Sequence, residues 1–286
     1  MKKILIIGAL ILGAIIVVYI CKGSDGPVVK SESGSNSVPP VVKDRPLNLS
    51  VFVDLSDRIT KEKDHMKQDD KDKIILKELA KKFYNKNAKK FSQSKDAFQI
   101  VFYPAPDGAQ TFAKDLYLDL SHLNSIPEKR NALLNFQESL SVGVDSLYAS
   151  ALRAGEFWGS DIWGYFSKDK VKDLHRNGCR NVLIIITDGY IFDDNNKIKD
   201  GKNYSYILPQ TLSIPSSGLI PCKITHPDFE VYVIECNANP KTDFTKMKSI
   251  LDKWFKEMGI EEIDIQESDI PTNTLRHLDR EIFDLY

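Results

Sequence analysis

Short apolar runs that alternate with helical patterns constrain the fold of this chain more than any other feature. Residues 47–55, 97–103, 181–187 and 229–235 are rich in aliphatic, β-branched or aromatic side chains, which is typical of buried strands. Helical patterns lie between them, and parallel strands need such crossover helices. The alternation therefore predicts an α/β domain built on an open, doubly wound, mostly parallel sheet.

The remaining elements complete this sheet and the layers that cover it. Residues 116–120 predict a strand that forms an antiparallel edge hairpin with residues 97–103, and residues 260–265 predict a second edge strand. Trp254 belongs to an apolar helical stripe, so we expect its side chain to be buried. The helical patterns cover residues 71–91, 128–154, 162–175, 247–258 and 275–282.

The N-terminus has the composition of a membrane anchor. Residues 4–21 are an apolar run of 18 uncharged residues, which as a helix would be about 27 Å long and would nearly cross a bilayer. No small-residue cleavage motif closes the run, so residues 1–23 predict an uncleaved signal anchor. Lipid attachment at Cys21 and a cleaved signal peptide are open alternatives. Two lysines and the amino terminus precede the run and one lysine follows it, which predicts that the rest of the chain lies outside the cytoplasm, in the periplasm or at the cell surface.

Two further segments divide the rest of the chain. Residues 24–46 are rich in Pro, Gly and Ser and contain no aromatic residue, which predicts a flexible tether. Residues 47–286 then form the working domain. Within it, residues 190–227 are a long polar insertion after the 181–187 strand, where loops often carry recognition. A solvated insertion without function is the open alternative.

Composition and motifs exclude several classes of function. The 39 Lys and Arg and 40 Asp and Glu give a net charge of −1 with both signs dispersed, so no global field favours nucleic acid. The signatures of serine hydrolases, P-loop NTPases and zinc proteases are missing from the sequence. The five histidines have no metal-ligand spacing with one another or with cysteines, so the sequence predicts no zinc site. Residues 61–73 mix charges of both signs, which is typical of a solvated loop and helix start.

Acidic residues follow two of the predicted strands. Residues 54–58 (Asp-Leu-Ser-Asp-Arg) come after the first strand, and Asp188-Gly189 comes after the fourth. Ligands of doubly wound sheets bind beyond the carboxyl ends of the strands where the strand order reverses, so we expect Asp54 and Asp188 to face each other across a crevice. Adjacent carboxylates repel unless a cation compensates, and an oxygen-rich site of this kind suits Mg²⁺, Mn²⁺ or Ca²⁺.

In element order and in these acidic residues, residues 47–286 resemble the von Willebrand factor A-type (vWA, integrin I-like) domain family. The metal-ion-dependent adhesion site (MIDAS) of that family has an Asp-x-Ser-x-Ser loop after the first strand, a Thr from a later loop and an Asp after the fourth strand. Asp54 and Ser56 match two positions of the loop, and Asp188 within Ile-Thr-Asp-Gly matches the last position. The resemblance implies that these three side chains coordinate a divalent cation and leave one position open for a partner's carboxylate.

Two residues depart from the family pattern and leave two alternatives. Arg58 stands at the third loop position in place of Ser, and Asp161, beside Ser160, stands where Thr is expected. In one alternative Asp161 is a further metal ligand and Arg58 points away. In the other, Arg58 and Asp161 form an ion pair in which the guanidinium replaces the metal. Ser160, Arg58, Asp57 and Tyr190 are the candidate ligand-binding residues around this site.

The leading hypothesis is a membrane-tethered, extracytoplasmic vWA-like binding module, and not an enzyme. It would dock a protein partner through the Asp54 and Asp188 face and the 190–227 insertion. A metal-assisted hydrolase that uses the same crevice is one alternative, although the sequence shows no positioned general base and no basic substrate clamp. A structural or assembly component of an envelope or transfer apparatus, with a degenerate site, is the other.

Overall fold

The structure is a computed structural model that describes residues 45–283 apart from residues 64, 91, 154–159, 192–198, 201–202, 205–206, 208–218 and 239–240. The chain divides into two units after Val42, and every described residue belongs to the second unit, Lys43–Tyr286. The predicted anchor, nearly all of the predicted tether and most of the 190–227 insertion lie outside the described residues. Within the described part, no helix is both long enough and apolar enough to span a membrane.

A six-stranded sheet forms the centre of the domain. Its strands are β1 (Leu47–Val53), β2 (Ala97–Val101), β3 (Tyr117–Asp119), β4 (Arg180–Ile186), β5 (Glu230–Cys236) and β6 (Glu262–Glu267). Their order is β3-β2-β1-β4-β5-β6, and only the edge pair β2 and β3 is antiparallel. The predicted mostly parallel α/β sheet with an antiparallel edge hairpin is therefore confirmed. The strand order reverses between β1 and β4, so their carboxyl ends flank the crevice where ligands bind in this class of sheet.

Helices cover both faces of the sheet. In the described part they are α1 (Gln68–Ala88), α2 (Ile126–Arg153), α3 (Ile162–Ser167), α4 (Lys241–Glu257) and α5 (Pro271–Leu278). Side chains of α1, α2 and α5 share one apolar cluster with one face of the sheet, and those of α3 and α4 share a second cluster with the other face. Neighbouring residues of β4, such as Ile184 and Ile185, point into opposite clusters, which explains why this strand is a continuous apolar run. Trp254 is buried in the second cluster, as its helical stripe predicts.

Short elements connect these layers. The 3₁₀ helices are Asp57–Thr60, Ala109–Thr111, Ala113–Leu116 and Lys170–Leu174, and a π-helical turn, Asp279–Phe283, follows α5. Two-residue ribbons pair Glu62–Lys63 with Met66–Lys67, and Lys199–Asp200 with Asn203–Tyr204. The first of these ribbons leads the chain from the end of β1 into α1.

The helix predicted over residues 162–175 is broken in the structure. α3 ends at Ser167, and the 3₁₀ helix Lys170–Leu174 follows it as a separate element. Asp169 lies between them with φ 51°, a left-handed conformation that stops an α-helix and that Asp adopts more readily than most residues. Its Oδ1 accepts a hydrogen bond from the Thr225 N–H at 3.0 Å, a contact between residues distant in sequence. No Gly or Pro lies at this break, so the sequence pattern predicts one continuous helix across it.

The helix start predicted within residues 61–73 is confirmed, but the prediction that this segment is solvated is wrong for its second half. α1 begins at Gln68, and the side chains of Gln68, Lys71 and Asp72 are buried. They lie beneath the carboxyl edge of the sheet, where each charge meets a partner of opposite sign. A charge run is solvated only where tertiary structure leaves it exposed.

Candidate functional site

Asp54 joins the ends of the two strands that flank the crevice. It is the first residue after β1, and its N–H donates to the Ile186 carbonyl at 2.9 Å. Its buried carboxylate accepts two hydrogen bonds, from the Ser56 N–H to Oδ1 at 2.9 Å and from the Thr187 hydroxyl to Oδ2 at 2.7 Å. The first is the local turn that Asp favours after a strand, and the second crosses to the end of β4.

Asp188 lies on the other side of the crevice, just beyond β4. Its Oδ1 accepts a hydrogen bond from the Tyr190 N–H at 3.2 Å, and its Oδ2 lies 3.6 Å from Lys61 Nζ. Burial and the negative charge of Asp54 raise the pKa of Asp188 to about 6, against the opposing influence of Arg58 and Lys61. This effect of the Asp54 charge on the pKa of Asp188 agrees with the expectation that the two side chains face each other at this edge.

Gly189 makes the turn after Asp188 possible. Its φ is 86°, and a Cβ at this position would lie 2.3 Å from Met247 Sδ on α4. The turn therefore needs both the left-handed backbone and the missing side chain. It directs the chain away from β4 at the point where the acidic side chain is presented.

Arg58 lies under the crevice instead of facing solvent. Its side chain is 1% exposed, and its guanidinium makes a two-point contact with Asp72, from Nη1 to Oδ2 at 2.7 Å and from Nη2 to Oδ1 at 3.2 Å. Arg58 Nε lies 4.0 Å from Asp54 Oδ2. Burial acts to lower the pKa of Arg58, but the carboxylates of Asp72 and Asp54 hold it above its ordinary value. The guanidinium is thus a permanent cation between two buried carboxylates.

Further hydrogen bonds hold Asp72 in place. Its Oδ2 accepts from the Tyr148 hydroxyl of α2 at 2.8 Å, and its Oδ1 accepts from Gln68 Nε2 at 2.9 Å. Burial raises the pKa of Asp72 to about 6, while Arg58 and the two hydrogen bonds act to lower it. The position of Arg58 is fixed from α1 and α2 together.

A second buried charge pair adjoins the first. Lys71 Nζ lies 3.7 Å from Glu235 Oε2, the carboxylate at the end of β5, and Gln68 Nε2 donates to the same oxygen at 3.2 Å. Ser268 and Thr274 donate to Glu235 as well, at 2.8 and 3.1 Å. Gln68 therefore links the two pairs, and the network runs from β1 to α5.

Asp161 has a local role in the structure. Its Oδ1 accepts the Gly164 N–H at 2.6 Å as the N-cap of α3, and its Oδ2 lies 3.8 Å from Lys168 Nζ. The alternative in which Arg58 and Asp161 form an ion pair is wrong, because the two-point partner of Arg58 is Asp72. The hydroxyl of neighbouring Ser160 is buried and has no hydrogen-bond partner among the described residues.

The outer rim of the crevice carries both signs of charge. Lys61 Nζ lies 3.7 Å from Asp57 Oδ2 as well as 3.6 Å from Asp188 Oδ2. The Asp57 and Lys61 side chains are 69% and 53% exposed, whereas that of Asp188 is 13% exposed. Of the predicted ligand-binding residues, Asp57 faces solvent, Tyr190 supports Asp188 through its backbone, and Arg58 is buried.

The divalent cation implied by the family resemblance does not suit this donor set. Each oxygen of Asp54 already accepts one hydrogen bond, which leaves fewer lone pairs for a metal, and Oδ1 of Asp161 caps α3. A metal ion bound to Asp54 would also lie within a few Å of the Arg58 guanidinium, where two like charges repel strongly in a buried site. The arrangement suits a fixed guanidinium in place of a metal.

Sequence reasoning missed Asp72 and Tyr148, which position Arg58, and Lys61, which lies beside Asp188. Asp72 and Lys61 belong to the mixed-charge run and Tyr148 to an amphipathic helix, so none of them was a candidate. The one available signal was Arg58 itself, an arginine at a loop position where the family has a small hydroxyl residue. A buried arginine requires a carboxylate partner, but only the packing of α1 identifies which one.

No family model matches this chain, and no curated protein matches it. Two crystal structures of the pilus adhesin SpaC from Lactobacillus rhamnosus GG are similar to it among solved structures. The open conformation is 11% identical with a TM-score of 0.43, and a second form is 12% identical with a TM-score of 0.41. Each match covers 85% of this chain and 30% of the adhesin chain, so this chain spans less than a third of the length of the proteins it matches. A likeness of this size carries no argument about function.

Proposed function

We propose that this chain is a membrane-tethered, extracytoplasmic binding module whose vWA-like domain docks a protein partner through the outer rim of the crevice, without a divalent cation. The rim consists of Asp57, Lys61 and Asp188. The observation that carries the proposal is the buried Arg58 guanidinium between Asp54 and Asp72. It supplies, from within the chain, the positive charge that a metal ion would supply in a MIDAS.

A partner would bind to the charged side chains of the rim instead of to an open position on a metal ion. Asp57 and Lys61 are exposed, and their contact is a surface ion pair that costs little to exchange for contacts with another protein. Exposed charges of this kind set orientation and association rate more than affinity. A partner with a basic group opposite Asp57 and an acidic group opposite Lys61 would match the rim.

The same geometry makes the hydrolase alternative weaker. Metal-assisted hydrolysis needs a metal-bound water, and the ion would have to bind beside Arg58. The assembly-component alternative shares the cation-independent rim with the proposed binding module, and it differs only in what the partner is.

Crosslinking from single positions tests the docking surface. A photoreactive amino acid at Asp57 or Lys61 should give a crosslinked partner in intact cells, and EDTA should not reduce the yield. The matched control is position Asp145 on α2, whose side chain is 56% exposed and also pairs with a lysine. Crosslinks from Asp145 alone, or crosslinks from the rim that disappear with EDTA, would contradict the proposal.

The tether has its own test. The apolar run at residues 4–21, preceded by two lysines, supports an anchor with the domain outside the cytoplasm. Protease added to spheroplasts should remove an epitope placed after Tyr286. Full protection of the epitope until the cells are lysed would reverse the proposed orientation.

A further inference from the structure

Two histidines and an aspartate meet at the sheet edge opposite the crevice. His175 lies between the 3₁₀ helix Lys170–Leu174 and β4, and His226 and Asp228 lie just before β5. β4 and β5 are parallel neighbours, so the loops that enter them meet at the amino-terminal edge of the sheet. Sequence spacing predicts no such cluster, because the two histidines belong to different crossovers.

The distances within this cluster are close to those of a metal site. His175 Nε2 lies 3.0 Å from Asp228 Oδ2, and the His175 and His226 rings stack with centroids 4.1 Å apart and planes 10° apart. One ligand atom from each of the three residues lies within 4.8 Å of the other two. Ligand atoms on one tetrahedral Zn²⁺ are about 3.4 Å apart, since Zn–N and Zn–O bonds are about 2.0–2.2 Å long. An imidazole binds a metal in the plane of its ring, so the stacked His226 ring must turn out of its parallel arrangement with His175, and Asp228 must rotate, to bring all three atoms onto one ion.

The three side chains combine one fixed ligand with two adjustable ones. The His175 side chain is 7% exposed and packs edge-on against Phe229, with ring centroids 6.0 Å apart. The Asp228 side chain is 64% exposed, and His226 is half-buried. His175 can hold an ion in a defined place while the other two rotate toward it.

The loop that carries His226 is itself anchored. Trp163 and Trp254 both donate their indole N–H to the Ile220 carbonyl at 3.0 Å. Thr225, directly before His226, donates its N–H to Asp169. The backbone of the loop is thus held at two points, and binding an ion would not require the loop to fold.

We infer that His175, His226 and Asp228 bind one divalent transition-metal ion, for which Zn²⁺ is the natural probe. Two imidazole nitrogens and one carboxylate oxygen are donors that suit Zn²⁺ better than Mg²⁺ or Ca²⁺. His175 binds the ion as a neutral imidazole through Nε2, with its ring proton on Nδ1, and the ion replaces the contact between Nε2 and Asp228. Three protein ligands leave a fourth position for water. The inference is independent of the proposed docking function.

Zinc stoichiometry on matched variants tests the site. Isothermal titration with Zn²⁺ is carried out on the untagged full chain in detergent micelles at pH 7.5. The wild type should bind one Zn²⁺ per chain, and His226→Ala should lose this binding or weaken it at least tenfold. His122→Ala is the matched control, because His122 is 82% exposed and pairs with Asp119 elsewhere. Asp188→Asn is a second control for binding at the carboxyl edge, and both controls should keep the ion.

Two results would overturn the inference. One is a wild type that binds no stoichiometric Zn²⁺, and the other is His226→Ala that binds it as the wild type does. Circular dichroism verifies that the variant is folded. If His226→Ala does not fold, Asp228→Asn, which changes an exposed side chain, should show the same loss, and unchanged binding by that variant equally overturns the inference.

Discussion

The carboxyl and amino edges of the central sheet differ in what can compensate their clustered side chains. At the carboxyl edge, Asp54 and Asp72 lie on either side of Arg58, so the compensating cation belongs to the protein. At the amino edge, His175, His226 and Asp228 bring lone pairs together around a point where an ion can bind. Clustered acidic residues therefore do not by themselves indicate a metal site. What decides is whether a side-chain cation already occupies the centre of the cluster.

Removing Arg58 should have the largest effect on stability. Arg58→Ser leaves Asp72 buried without its partner, and we expect the free energy of unfolding to fall by about 3–5 kcal/mol. Urea denaturation at pH 7 measures the change. The double variant Arg58→Ser with Asp72→Asn should recover part of the loss, because the uncompensated charge is gone.

A loss of stability below about 1 kcal/mol for Arg58→Ser would contradict the claim that Arg58 compensates the buried carboxylates of the carboxyl edge. It would mean that solvent or another group compensates Asp72, so that the guanidinium is not the central charge of the carboxyl edge. The amino edge supplies the control, since His226→Ala removes no buried charge and should leave metal-free stability nearly unchanged.

The raised pKa of Asp188 should give a smaller, pH-dependent effect. In the native state Asp188 keeps its proton up to about pH 6, whereas in the unfolded chain its pKa is near 3.9. The native state therefore binds more protons between about pH 4 and 6, and stability falls as pH rises through that window. Asp188→Asn should remove this slope and gain about 1–2 kcal/mol at pH 7.5, with no gain at pH 4.

Urea denaturation of the wild type and Asp188→Asn at several pH values measures this difference. Each comparison is made at the same pH, which cancels contributions from other titrating groups such as Asp72. Parallel stability curves from pH 4 to 7.5 would show that Asp188 is solvated and that the crevice does not force two carboxylates together.

Of the two edges, Trp254→Phe should affect only the amino edge, besides lowering the stability of the core. The variant loses the indole hydrogen bond to the Ile220 carbonyl, which Trp163 still satisfies, and we expect a loss of about 1–2 kcal/mol from the missing contact and volume. Because this carbonyl anchors the loop before His226, Zn²⁺ affinity should also fall. Thermal unfolding and zinc titration measure both effects, and an unchanged affinity would show that the loop is held without Trp254.

The sheet was predictable because each of its central strands is a continuous apolar run in the sequence. Leu47–Val53 and Arg180–Ile186 are buried on both faces, so they read as continuous apolar runs wherever they occur. Their order also placed Asp54 and Asp188 at one edge, since the reversal of strand order follows from the fold class. Most element ends differ from the predictions by a few residues. The larger exceptions are the break at Asp169 and the start of α4 at Lys241, where the sequence pattern predicts residue 247.

The chemistry of both edges depended on contacts that local patterns do not encode. Asp72 has the same neighbours in sequence as a solvated helical charge, and only the packing of α1 brings it to Arg58. His175 and His226 show no ligand spacing, because adjacent strands and not adjacent residues bring them together. Tertiary structure thus placed a guanidinium beside one candidate metal site and brought together the residues of a second one.

The response of melting temperature to Mg²⁺ and Ca²⁺ tests most directly whether Arg58 replaces the divalent cation. These hard cations favour carboxylate oxygens over imidazole, so they report on the carboxyl edge. Calorimetry is carried out on the wild type and Arg58→Ser, each with EDTA and with millimolar cation. We predict no shift for the wild type and an upward shift for Arg58→Ser, where the ion can enter the space between the carboxylates. An upward shift of the wild type that Asp188→Ala abolishes would contradict the account.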